Sequence, residues 1–98
     1  MGFRGEDNNT YLPISLIKNT LKPTSVTVGT ATTLLPTAPL SNRTVIDIYN
    51  NSLDTEILLM GIRPIEPKAS LRLNITASVT LWATVSSGSA EAIILEGS

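Results

Sequence analysis

Histidine and cysteine are both absent from this 98-residue chain. Without histidine there is no ordinary acid–base group near neutral pH, and the commonest zinc and copper ligand is gone. Without cysteine there is no disulfide, no thiolate nucleophile and no structural zinc site. A Ser-His-Asp or Cys-His arrangement therefore cannot be built. The six glycines stand apart at positions 2, 5, 29, 61, 88 and 97, so no glycine-rich loop cradles a phosphate. Charge is scarce too, at 15% of residues against roughly 25% in a typical soluble chain. The net charge is -1 and there is no basic run, so nucleic acid is not an expected partner. No apolar run approaches the ~20 residues that span a bilayer, so no membrane segment is expected. These absences point to a chain that is not an enzyme and needs no cofactor.

Threonine, serine and asparagine fill the polar positions, and apolar residues make up 42% of the chain. The length suits one domain with one core. Met1–Thr10 is polar and has no apolar signal core, so folding in the cytosol, or within an assembly that stabilises the domain, is expected. Asn-x-Ser/Thr sequons at Asn8, Asn42, Asn50 and Asn74 are by-products of that composition.

Residues 1–24 read as an extended N-terminal arm, with Pro13 and Pro23 opposing a helix across Leu12–Leu21. From Ser25 the apolar period becomes two, and residues 25–98 read as one β domain. Strands are expected at Ser25–Val28, Ala31–Leu35, Arg43–Asn50, Thr55–Met60, Ser70–Ile75, Val79–Val85 and Ala90–Glu96. Pro64 and Pro67 mark an irregular connection, and Ser86–Ser89 a tight turn that makes the last two strands a hairpin. The fold class is all-β: an antiparallel sandwich or small barrel of about seven strands. Ile46, Ile48, Leu71, Leu73, Ile75, Leu81, Ala83 and Val85 are its expected core, and Val79 faces inward with them.

Few residues invite chemistry. Asp54 and Glu56 stand two apart, but no calcium-loop spacing surrounds them, so they read as a solvated turn. Arg43 and Arg72 read as surface cations, each beside a carboxylate. Trp82 falls out of phase with Leu81, Ala83 and Val85, which places it on the outer face with Thr80 and Thr84. It can pack under the chain's own arm, contact a partner, or form a sugar-stacking platform. A partner contact is favoured, because tryptophan is enriched at interface hot spots. Sugar binders present several aromatics, and here there are one Trp, two Tyr and one Phe. Ile93 and Leu95 alternate against Ala92 and Ile94, so the last strand is apolar on both faces, as a strand covered by a neighbouring chain is.

The run Tyr11-Leu-Pro-Ile-Ser-Leu-Ile-Lys18, the stretch Pro36–Ser52 with its SNRTVIDIYNNS core, and the ending Leu73–Ala77, Leu81–Ala83 and Ala90–Gly97 resemble small structural proteins of tailed-bacteriophage virions. The resemblance covers about residues 11–97. It carries no catalytic residue, and it departs at Glu56–Pro67, where Ile57-Leu-Leu-Met60 and two prolines replace an expected Gly/Ser-rich segment. It implies a capsid decoration or cement module, or a neck or fibre protein, in a virion assembled in the host cytoplasm. The implied partners are the major capsid protein or other virion proteins, and further copies of the chain, as a trimer. The expected contact residues are Leu12, Ile14, Leu16 and Ile17 of the arm, with Trp82, Ile93 and Leu95 of the sandwich. The alternative is a carbohydrate-binding or host-recognition module, which needs Trp82 and Tyr49 exposed together in a shallow groove.

Overall fold

The computed structural model describes residues 20–98. The arm residues Leu12, Ile14, Leu16 and Ile17 lie outside this range. Eight strands follow in order: β1 Leu21–Val28, β2 Thr33–Leu34, β3 Val45–Asn50, β4 Ile57–Leu59, β5 Arg63–Ile65, β6 Ser70–Leu73, β7 Trp82–Thr84 and β8 Ala90–Gly97. They form two four-stranded sheets, β1-β8-β3-β6 and β2-β7-β4-β5, and every pairing is antiparallel. The first strand pairs with the last, the second with the seventh, the third with the sixth and the fourth with the fifth. The chain is thus one long antiparallel ribbon rolled into a sandwich, the jelly-roll arrangement.

Alternation decides which residues face inward. In β3, Ile46 and Ile48 are buried while Val45, Asp47 and Tyr49 face out half-buried. Each of those two isoleucines contributes roughly 1.5–3 kcal/mol on burial. Leu81, Ala83 and Val85 are buried in phase. Leu71, Leu73 and Ile75 pack against the core but remain half-buried, because β6 is an edge strand. Val79 does not join them: it is 41% exposed, because regular pairing begins only at Trp82 and the residues before it form a loop.

Ser86–Ser89 does not close a hairpin, since β7 and β8 belong to different sheets. The turn carries the chain across the sandwich. Ala90, Ala92, Ile94 and Glu96 then face the core, and β8 lies centrally between β1 and β3. Own-chain strands pair with both edges of β8, while its outer face keeps Ile93 half-buried and Leu95 exposed. Pro64 does not prevent pairing either: β5 is a sheet edge, where a missing donor is tolerated. β1 begins at Leu21, four residues before the expected start, and includes Pro23 opposite Leu95. Ser98 N–H donates to Thr20 O at 3.2 Å. By alternation the even residues of β1 then bond β8 and Pro23 turns its nitrogen away, so no ladder bond is lost.

Candidate protein-binding surfaces

Trp82 lies half-buried on the outer face of the β2-β7-β4-β5 sheet, between the buried Leu81 and Ala83. Leu34 stands directly across the ladder and is exposed. On the other side, Met60 N–H donates to Trp82 O at 2.7 Å. The turn that follows passes under the indole. Gly61 has φ +77, and a Cβ there would meet Trp82 Cη2 at 3.0 Å, so a backbone without a side chain leaves room for the edge of the ring. Met60 and Ile62 of this turn are exposed, Ile62 to 83%. Leu34, Trp82, Met60 and Ile62 thus group apolar surface at one end of this sheet. The sequence reading placed Trp82 on this face but missed Leu34, Met60 and Ile62. Leu34 alternates within a two-residue strand, and the other two belong to a turn, so neither period marks them.

Ile93 and Leu95 lie on the outer face of the other sheet, so they share no surface with Trp82. Ile93 sits between Ser25 and Tyr49, half-buried; Leu95 sits between Pro23 and Asp47 and is 42% exposed. A shallow depression of about 110 Å³ opens here, lined by Leu21, Val45, Leu95 and Gly97, with Asp47 and Arg72 at its rim. Gly97 forms its floor, for a Cβ there would crowd Val45 Cγ1 at 3.1 Å. Arg72 Nη2 donates to Asp47 Oδ2 at 3.4 Å across the β3–β6 ladder, an exposed pair worth ~0–1 kcal/mol. Tyr49 is on this sheet and Trp82 on the other, so the two aromatics do not meet in one groove. A second depression, beside Leu34, Pro36 and Thr80, holds about 120 Å³. Both fall below the ~300 Å³ of an ordinary small-ligand site.

Arg43 is not a surface cation. It is 2% exposed, and its Nη1 donates to Glu96 Oε2 at 2.9 Å. Nε donates to Ile75 O at 3.1 Å, and Nη2 to Thr76 O and Val79 O at 2.8 and 3.2 Å. Glu96, fully buried, also accepts from Leu40 N–H. The loops before β3 and before β7 are therefore pinned to β8 at one end of the sandwich.

At the other end, Asn50 is buried. Its Nδ2 donates to Thr55 O and Ile65 O, both at 2.8 Å, and its Oδ1 accepts from Ser52 N–H and Oγ–H. That sequon is closed to any glycan. Glu91 accepts from Ser25 Oγ and Asn51 Nδ2, and these bonds hold its carboxyl below the usual glutamate range. Asp54 is exposed, as expected of a solvated turn. Glu56 shares a side-chain hydrogen bond with Glu66, which, aided by slight desolvation and the neighbouring charge, raises its carboxyl above the ordinary value. Among the described residues no three of Asp, Glu, His or Cys converge as metal ligands. Comparison with protein-family models, curated proteins and solved structures finds no match to this chain.

Proposed function

We propose that this chain is a non-enzymatic structural protein of a tailed-bacteriophage virion, a capsid decoration or cement protein that stabilises the shell through protein–protein contacts. The observation that carries this reading is the apolar group around Trp82. Its indole edge lies against Gly61, between exposed Leu34 and the exposed turn at Met60 and Ile62. Large, rigid side chains in such a setting are the usual anchors of a protein contact. The family resemblance supplies the virion context. The jelly roll adds to it by analogy of fold alone, since viral capsid domains and lectins both use it. The partner is the major capsid protein or another virion protein, together with further copies of this chain as a trimer. The arm reaches a neighbour while the Trp82 face seats on the shell. Repetition over a closed shell multiplies modest contacts by avidity.

Labelled chain mixed with tailed-phage heads that lack it tests the reading by co-sedimentation. Saturable binding that Trp82→Ala weakens roughly 30-fold, as loss of a hot spot of about 2 kcal/mol requires, supports it. Absence of binding to heads, with specific binding on a glycan array, transfers the chain to the carbohydrate-binding alternative.

A further inference from the structure

Among the described residues the rolled ribbon leaves four sheet edges: β1 and β6 in one sheet, β2 and β5 in the other. Three are blunted. β1 carries Pro23 with its nitrogen turned outward, β5 carries Pro64, and β2 is two residues long and runs into Pro36. Proline and short length are standard protections of an edge. β6 has neither. Asn50 N–H donates to Ala69 O at 2.9 Å. The register Ile48↔Leu71 and Ile46↔Leu73 then directs the backbone of residues 69, 71 and 73 toward β3. By alternation the backbone groups of Ser70, Arg72 and Asn74 face away from the sheet. Beneath that open edge the row Leu71, Leu73 and Ile75 packs against the core yet stays half-buried. Among the described residues the edge thus offers free ladder positions and an unfinished apolar row at the same place.

A strand that completes it needs inward apolar residues at period two. Residues 12–18 contain that pattern: Leu12, Ile14 and Leu16 alternate with Pro13, Ser15 and Ile17. With Ile14 and Leu16 turned inward, Ser15 and Ile17 meet the free backbone groups of β6. Pro13 precedes the added strand, so its missing donor removes no ladder bond. Residues 14–18 of the chain's own arm cannot lie along this place as a strand. Thr20 leads into β1, three strand spacings from β6, and the vacant position is a fourth, about 19 Å in all. From Thr20 back to Leu16 the chain spans at most about 14 Å. We propose that residues 14–18 of a second copy add as an antiparallel strand to the free edge of β6. This rests on the reading of the chain as a protein that works by binding protein surfaces, and it names the acceptor for the arm. The contact is head-to-tail, so it closes into a ring or continues along a row of copies.

The chain has no cysteine, so single cysteines report the contact. Full-length Ser15→Cys chain is mixed with full-length Arg72→Cys chain under mild oxidation. In the antiparallel register these positions are opposite, ~5.5 Å between Cα atoms, within disulfide reach. Mixed dimers well above the statistical share are expected. Ser15→Cys with Thr27→Cys, at the opposite edge of the sheet, should give only the statistical share. Ile14→Asp in the Ser15→Cys chain should abolish the excess while the circular dichroism of the sandwich stays unchanged. Equal yields at Arg72 and Thr27 would overturn the proposal. So would a monomeric intrachain disulfide in the Ser15→Cys/Arg72→Cys double variant. Trp82→Ala is carried in parallel on heads: loss of head binding there, with no excess crosslink here, sinks strand addition alone and leaves the surface reading standing.

Discussion

Arg43 and Glu96 form an ion pair inside the sandwich, 2.9 Å from Nη1 to Oε2, with side chains 1% and 0% exposed. The guanidinium's other donors go to the carbonyls of Ile75, Thr76 and Val79, and the carboxylate's remaining capacity to Leu40 N–H. One buried pair thus sets the path of two long loops that have little regular structure of their own. Buried pairs of this kind add little net stability over apolar side chains, but breaking one leaves an uncompensated charge. Arg43→Met alone should cost about 3–5 kcal/mol in urea unfolding. Arg43→Met with Glu96→Leu should recover most of that loss. A single variant as stable as the parent would show that the pair does not form.

Asn50 does the same at the opposite end with uncharged bonds. Asn50→Ala removes the Nδ2 donor shared by the carbonyls of Thr55 and Ile65, and about 1–3 kcal/mol of stability should be lost. Hydrogen exchange should rise first in residues 51–66. Uniform acceleration across the sandwich would argue against a local role.

Gly61 and Trp82 are a coupled pair. Gly61→Ala places a methyl group 3.0 Å from the indole at a φ of +77, so about 1 kcal/mol or more should be lost to strain. Trp82 is the single tryptophan, so its emission should shift to the red as the ring lifts into solvent. An unchanged spectrum would mean that the ring does not rest on this turn.

Two glutamates give stability opposite pH slopes. Glu91 is held below the usual value of 4.5 by Ser25 and Asn51. Its contribution is present above that value and fades as pH falls through the lowered folded one. Glu56 is raised by Glu66. Its contribution is full below 4.5 and is lost as pH rises through the raised folded value. Glu56→Gln should flatten the decline above pH 4.5, and Glu91→Gln the decline below it. Chemical unfolding midpoints read against pH separate the two.

The faces of β3 and β6 were legible because each strand repeats apolar and polar residues without interruption. The pairing of β7 was not. Consecutive antiparallel strands joined by a short Ser/Gly turn look alike in sequence whether they close a hairpin or cross a sandwich. β5 was hidden by Pro64, which reads as a breaker unless the strand is known to be an edge. Arg43 looked like a surface cation at the start of a strand, and Glu96 only like the end of one. The available signal was phase: Glu96 continues the inward series Ala90, Ala92 and Ile94. Trp82 was placed on its outer face by the same phase argument. Its neighbours come from other strands and a turn, and only pairing brings them together.

We propose above all that this chain works by seating on other protein subunits through the face around Trp82. Cryo-electron microscopy of purified tailed-phage virions tests this proposal most directly. Copies of the jelly roll are expected at fixed positions on the particle, with Leu34, Trp82 and Ile62 within contact distance of a neighbouring subunit. Particles without the chain, or copies whose Trp82 face opens to solvent, would contradict it.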